Sequence, residues 1–457
     1  VAIEGFCIAF DDPMLDTTPT WTRLDTGSLV ASYSIRRGRQ DELAKTGTGT
    51  ATVELNDRNG LFDPNNVSGP YFGKLDGKQA ALALWHPIDE AWVTLFRGFV
   101  DSWEYELDPS GLVSRVQVEL VDALDYLAGV ELVPGTAGQP PPSTDSEGDV
   151  YYELQEVDDR IVNVLGNAAW PSSLSTIFSG NVFVKETFYP PGTTALAALA
   201  DAADAEFPGV ANVFVDKLGN VTFHGRHARF DPDSVSDGTA WDFHRWRCGD
   251  GEITSVDATY AQLRRLGFSR PRKNIINAAM ALPDRNPARI IDPGPPEVPE
   301  PALTAAEIIG NIVSDATSRT AYGVHSWSAE NLLTWGHKTS GTDDLEETKL
   351  FADYYLENYK QPVTRITQLG FRSIRPDDFR GPATWDLLTG VDISDAILVF
   401  VNYPGGDGFE NEEFFIEGIT YDVQPLLGEN ADPHYADVTL SLDVSPSAFY
   451  TIAPDGW

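Results

Sequence analysis

Phe96-Arg97-Gly98-Phe99-Val100-Asp101-Ser102-Trp103, followed beyond the turn residues Asp108-Pro109-Ser110-Gly111 by Val116-Gln117-Val118-Glu119-Leu120, decides how this chain folds. In the second run Val116, Val118 and Leu120 alternate with Gln117 and Glu119, the period of a strand with one buried face. The same period appears upstream, where Ala51, Val53 and Leu55 alternate with Thr52 and Glu54, and downstream at Ile419, Tyr421 and Val423 and at Val438, Leu440, Leu442 and Val444. Asn59-Gly60 adds turn chemistry, because Gly and Asn tolerate positive φ. The expectation for the first 133 residues is a compact antiparallel barrel or sandwich.

The opening stretch has an echo near the other end of the chain. Phe96-Arg97-Gly98-Phe99-Val100 resembles Phe415-Ile416-Glu417-Gly418-Ile419, and the next alternating run begins 18 residues after Gly98 and 20 after Gly418. Two related β modules produce such an echo, and so does chance similarity between hairpins. Between them, Leu196, Leu199, Ala200, Ala203 and Phe207 recur at helical spacing behind an N-cap at Thr193 or Thr194. Lys217-Leu218-Gly219-Asn220 then turns a hairpin over Val213 to Phe223. A second helix starts at Thr342, where Asp343, Asp344, Glu346 and Glu347 complement the helix dipole. Leu345, Ala352, Tyr355, Leu356 and Tyr359 form its apolar face, and Pro362 ends it. Two stretches, 134–148 and 293–301, hold four and five prolines with few apolar side chains and read as exposed loop or linker.

With 457 residues the chain has room for two to four domains at about 150 residues each. Its 32 Lys+Arg against 69 Asp+Glu leave a net charge of −37, which opposes any general coating of DNA or anionic membrane. Hydrophobic residues at 42% and aromatics at 11% exclude a disordered acidic tail. Only Cys7 and Cys248 occur, so a disulfide scaffold or Cys-rich zinc module is excluded, and one bridge between the two stays open. Val1 to Phe10 lacks the basic start of a signal peptide, and no apolar run reaches the roughly 18 residues of a membrane helix. A soluble protein with no membrane insertion is expected.

Catalytic and cofactor motifs are absent from the sequence. None of the seven His lies in an HExxH pattern, and there is no GxSxG elbow, Walker loop or GxGxxG after a strand. His224 and His227 fall on opposite faces of a predicted strand, which opposes joint metal binding. Acidic pairs such as Asp158-Asp159, Glu346-Glu347 and Glu412-Glu413 are too common here to mark a general acid and base. Asn56 to Asp63 offers oxygen ligands for calcium but reads better as a turn. Two basic clusters stand out: Arg36, Arg37 and Arg39, and Arg264, Arg265, Arg270, Arg272 and Lys273. Guanidinium forks pair well with carboxylates, so both clusters are candidate protein contacts, including contacts with another copy's acidic surface; salt bridges within the chain are the simpler reading.

Taken together, several runs resemble a known family. Arg23-Leu24-Asp25, Ser34-Ile35-Arg36-Arg37-Gly38-Arg39 with Glu42-Leu43, Gly49 to Leu55, and Asn59-Gly60-Leu61-Phe62-Asp63-Pro64-Asn65 resemble the N-terminal domain of minor tail proteins from long-tailed phages of actinobacteria. Leu95 to Trp103 followed by Val118-Glu119-Leu120-Val121-Asp122-Ala123-Leu124 looks like its second half. The order is also similar to baseplate hub proteins of contractile tails and to late-control tail proteins. Looser likenesses run through Glu206-Phe207, Val215 to Phe223, Arg226, Lys273 to Asn277, Tyr322-Gly323 and Glu413 to Ile419.

This resemblance implies a mainly β protein with α+β insertions: two β-barrel modules of tail-hub type plus smaller mixed modules. The corresponding divisions are an N-terminal barrel (1–133), a proline-rich loop (134–150), a mixed α/β insertion (151–240), the first part of a second barrel (241–292), a proline-rich linker (293–303), a helical and mixed insertion (304–362) and the remainder of the second barrel (363–457). It further implies a homotrimeric tail-tip or baseplate hub that closes the tail tube, anchors receptor-binding proteins and lets DNA pass without specific binding. Its partners would be the distal tail protein, the tape measure protein and other minor tail or fibre proteins. It would be made in the host cytoplasm and reside at the virion tail tip. Hubs of this family often carry a C-terminal hydrolase or fibre, neither of which this sequence contains, so no enzyme activity, cofactor or metal is expected. A distal tail adaptor and an acidic, aromatic-rich glycosidase or carbohydrate-binding module are the alternatives.

Overall fold

Alternating apolar and polar side chains assemble into one 14-stranded sheet. The computed structural model describes residues 3–24, 30–74, 76–108, 113–134, 149–229, 245–249, 259–285, 302–338, 342–362, 365–401, 409–425 and 436–450. Nearly all of both proline-rich stretches, expected to be loop and linker, lies outside the described residues. From one end the strands run Thr22–Arg23, Phe6–Ile8, Gln79–His86, Ala91–Glu106, Ser114–Val121, Thr50–Asp57, Val30–Gly38, Phe409–Pro425, Ala396–Val401, Arg245–Gly249 and Ala261–Gln262. A branch leaves Phe409–Pro425 through Ala436–Pro446 and Arg365–Arg372 to Arg265–Ser269.

Within this sheet a five-strand unit occurs twice. The first unit is Val30–Gly38, Thr50–Asp57, Gln79–His86, Ala91–Glu106 and Ser114–Val121; the second is Arg265–Ser269, Arg365–Arg372, Ala396–Val401, Phe409–Pro425 and Ala436–Pro446. In both, strands taken in chain order lie across the sheet as first, second, fifth, fourth, third. The fourth strand pairs with the third through its first half and with the fifth through its second, changing partner at a β-bulge. That bulge falls at Asp101, between Val100 and Ser102, and at Glu417, between Ile416 and Gly418. Residues 99–107 (FVDSWEYEL) therefore match 415–423 (FIEGITYDV).

The register corrects the expected echo. Ser102 faces Glu119 as Gly418 faces Asp443, so Gly418 corresponds to Ser102 and not to Gly98. The shared glycine pattern came from a separate need: a Cβ at Gly98 would overlap the Val121 carbonyl oxygen, and one at Gly418 the Arg39 carbonyl oxygen. Among the described residues no pairing closes either unit into a barrel. The two are continuous, through Val30–Gly38 against Phe409–Pro425, from Tyr33 opposite Val423 to Gly38 opposite Gly418.

One apolar core lies beneath the sheet and includes Ile35, Val53, Val118, Tyr421, Leu440 and Leu442. A second lies among the helices and small sheets of the middle region. There the helix Ala195–Glu206 starts at Thr194, whose hydroxyl accepts the Ala197 amide, and buries Ala198, Leu199 and Ala202. The hairpin Asn212–Val215 and Val221–His224 is closed by Asp216, whose carboxylate accepts the Leu218 and Asn220 amides. The helix Asp344–Tyr359 is capped by Asp343. It buries Phe351, Ala352, Tyr355 and Tyr359, while Leu345 and Leu356 stay half-buried. The strand Ala278–Pro283, placed by the sequence reading with the second barrel, pairs with Ile312–Ser314 and Ser326–Leu332 and so packs with the insertion.

Candidate functional site

Residues 37 to 42 anchor one of the buried charge clusters among the described residues. On Val30–Gly38, Tyr33, Ile35 and Arg37 face the core while Arg36 faces solvent, the ordinary alternation of a strand. Arg37 therefore enters the interior, where its Nη1 meets Asp392 Oδ1 at 2.8 Å. Its Nε and Nη2 have no hydrogen-bond partner among the described residues. Gly38, at φ +84°, redirects the chain so that Arg39 is buried too. Arg39 donates from Nε to Glu417 at 2.7 Å, from Nη1 to the Gly209 carbonyl at 2.7 Å and from Nη2 to the Tyr450 hydroxyl at 3.0 Å.

Glu417 is the residue extruded by the second bulge, and its side chain is fully buried. It binds Arg39 on one side and Arg229 on the other, the latter at 2.7 Å, and accepts the Tyr450 hydroxyl at 2.6 Å. Burial alone would raise its pKa, but the Arg229 and Arg39 charges outweigh it and lower the group to about 2. Glu42 completes the set: its carboxylate pairs with Arg365 and accepts from the hydroxyls of Tyr359 at 3.0 Å and Ser445 at 2.6 Å. First unit, middle region and second unit are joined through these charges.

A second buried cluster flanks Arg37. Asp392 accepts the Lys217 amide at 2.9 Å, and Asp395 accepts the Asp392 amide and the Trp246 indole N–H, each at 2.9 Å. Asp122 accepts the amides of Gly49 and Leu124. Burial pushes Asp122 and Asp395 up to about 7, and burial with the nearby Asp392 charge raises Asp216.

The expected contact set divides accordingly. Arg37 and Arg39 are corrected from protein contacts to internal ion pairs, because strand parity and the Gly38 turn aim both inward. Arg36, Arg264, Arg265, Arg270 and Arg272 remain exposed. Arg270 and Arg272 donate to the carbonyls of Pro362 and Tyr322, whereas the guanidinium groups of Arg264 and Arg265 have no partner among the described residues. The Lys273 side chain lies outside what is described. Strand parity was the signal that could have separated Arg36 from Arg37; nothing local marked Glu417, Arg229 or Asp392, which reach the cluster from far along the chain.

The remaining candidates are occupied by the protein itself. The strand ends at His224, so His227 lies on the following turn and not on a strand as expected. Burial holds His224 well below its usual pKa, with Nδ1 3.1 Å from the Ser394 hydroxyl and its ring between Phe178 and Phe214. Asp57 spends its carboxylate on the amides of Asn59, Leu61 and Phe62, which makes 57–62 a turn. Cys7 and Cys248 are both buried free thiols. His86 Nδ1 accepts the Asp89 amide at 3.0 Å and Nε2 faces Asp386 at 3.1 Å, clasping the end of Gln79–His86 to the helix Gly381–Gly390. A groove of about 580 Å³ lies between residues 43–46, the helix Ala195–Glu206 and the strand Ser326–Leu332. Lys45 crosses it to Asp204 at 3.0 Å, and Tyr355 covers one face of Trp327.

No family model and no curated protein matches the chain. Solved structures do. A tail protein from Neisseria meningitidis MC58 superposes with a TM-score of 0.52 at 12% identity, over 99% of this chain and 99% of that one. The 43 kDa tail protein of prophage MuSo2 from Shewanella oneidensis gives 0.51 at 11% identity, over 98% of this chain and 100% of the other. The duplicated β units, with their helical and mixed insertions, thus form a fold that this chain shares with phage tail proteins.

Proposed function

We propose that this chain is a structural hub at the tail tip of a long-tailed phage, assembled as a homotrimer that closes the tail tube, holds tip and receptor-binding proteins and lets DNA through on ejection. The carrying observation is the duplicated five-strand unit: three copies present six related units, which suits a joint between a sixfold tube and a threefold tip. The actinobacterial assignment rests on the N-terminal motif residues. Distal tail, tape measure and fibre proteins are the proposed neighbours, and the role is non-catalytic, without cofactor or metal.

The solvent face of the sheet supports DNA transit. Ser102, Glu119, Thr52, Ser34, Asp422 and Thr439 follow one another across six strands in register. The carboxylates repel phosphate, the short hydroxyls offer nothing for bases to stack on, and Arg372, next in the row opposite Thr439, is held by Asp437, so DNA slides past such a wall. A density map of intact tails tests the reading. Three copies at the tip with this face toward the channel is the expected result. A neutral or basic channel wall overturns the transit argument, and a monomer that cleaves cell-wall polysaccharide overturns the hub.

A further inference from the structure

We infer that the outer edge of the strand Ser326–Leu332 binds an extended segment of another protein by strand addition, the segment lying in the groove beside the helix Ala195–Glu206, apolar on its inner face and carrying a lysine or arginine beside Glu330. The inference goes beyond the hub reading and is tested on the isolated chain.

The edge is built as a template. In the three-stranded sheet of the insertion Ala278–Pro283 lies in the middle, so Ser326–Leu332 has one neighbouring strand and none on its other edge among the described residues. The Ala278 amide donates to the His325 carbonyl, and Ala278 stands opposite Ser326 in a parallel register. Backbone groups alternate sides along a strand, so Trp327 and Ala329 turn theirs to Ala278–Pro283, while Ser326, Ser328 and Glu330 turn theirs outward. All three are exposed. Such a row of amides and carbonyls accepts one more strand. Lysine and proline, which blunt natural edges, are absent from 326–332.

The space beside the edge fits side chains as well as backbone. The groove of about 580 Å³ has Trp327 and Ala329 on the strand side and Leu196, Ala197 and Ala200 on the helix side. The short alanines leave room for a chain to lie against the helix, and Tyr355 holds Trp327 in place with ring centroids 4.0 Å apart. A guest of about five residues, roughly 17 Å long, matches the run 326–330. Its side chains alternate as those of its neighbour do. Those on the face of Trp327 and Ala329 meet the apolar walls, and those on the face of Ser328 and Glu330 meet water and a carboxylate. A cation beside Glu330 forms the cross-strand pair that this face offers. Asp204 adds a second carboxylate at the rim, and its exposed pair with Lys45 at 3.0 Å is weak enough to be exchanged for a cation of the guest. With a net charge of −37 on every copy, this demand for positive charge selects another protein over a second copy.

The probe is a fluorescent pentapeptide alternating valine and lysine, valine first and last, with a glutamate-for-lysine version and two N-methylated versions, one methylated at the valines and one at the lysines. Fluorescence anisotropy with the full-length chain should show the lysine peptide binding at least tenfold more tightly than the glutamate peptide, and Glu330→Lys should erase that preference. Ala197→Arg, which fills the groove, should weaken binding at least tenfold, whereas Ala316→Arg, the same change on another exposed helix of the insertion, should not. Circular dichroism of each variant should match the parent. One methylated peptide and not the other should lose binding, because only alternate amides of an added strand face its neighbour. Hydrogen exchange at Ser326, Ser328 and Glu330 should slow when the lysine peptide binds. Absence of binding, binding that survives Ala197→Arg, or equal binding of both methylated forms overturns strand addition. Slow exchange at these amides without peptide overturns it too: lost on dilution, a second copy holds the edge; kept, the chain's own residues hold it. None of these outcomes bears on the hub reading, which the map of intact tails decides.

Discussion

At the scale of single residues the charges in the interior pull stability in opposite directions with pH. Glu417 is held between Arg39 and Arg229 with its pKa lowered from the usual 4.5 to about 2. A lowered carboxylate contributes fully above its unfolded pKa and is lost as pH falls from about 4.5 toward 2. Glu417→Gln removes the counter-charge of two buried guanidinium groups and should cost about 3–5 kcal/mol in urea unfolding at neutral pH. Asp395 has the reverse sign. Raised from 3.8 to about 7 by burial, it favours the folded state below about pH 4, and that contribution disappears as pH rises toward 7. Asparagine keeps an oxygen that can accept from the Trp246 indole and the Asp392 amide. Asp395→Asn should therefore flatten the fall in urea midpoint between about pH 4 and pH 7 and add on the order of 2 kcal/mol at the upper end.

At the scale of elements the most sensitive joint is the pair Val30–Gly38 and Phe409–Pro425, because among the described residues it is the strand pairing through which one unit continues into the other. Gly38 sits there at φ +84°, and a Cβ would overlap the Glu417 carbonyl oxygen. Gly38→Ala combines a left-handed backbone with that overlap and should destabilise by about 2 kcal/mol or more. Hydrogen exchange should locate the damage, with faster exchange at Ile35, Arg37, Ile419 and Tyr421 and little change at Val53 or Val118. Of the two strands that meet at this joint, Phe409–Pro425 was legible from alternation at Ile419, Tyr421 and Val423, as were the cap at Thr194 and the hairpin over 213–223 from their own local signals. The pairing was not. Nothing in residues 33–38 names 418–423 as the partner, and the glycine echo pointed four residues away from the true correspondence because Gly98 and Gly418 each answer a different close approach. The buried cluster was half legible: Arg37 follows strand parity, whereas burial of Arg39 depends on the turn at Gly38, and Glu417 on a bulge visible only once both strands are paired.

At the scale of the whole molecule, a net charge of −37 makes each folded copy repel itself. The Debye length falls from about 14 Å at 0.05 M salt to about 4 Å at 0.5 M, so this repulsion weakens over that range. Exposed ion pairs such as Arg372 with Asp437 are screened over the same range, but each contributes little. The thermal midpoint should therefore climb monotonically with sodium chloride, as scanning calorimetry at fixed protein concentration checks. A midpoint that falls between about 0.05 M and 0.5 M would mean that the attractive pairs outweigh the excess of acid, and that the carboxylates are spread so as to avoid one another rather than gathered on one face.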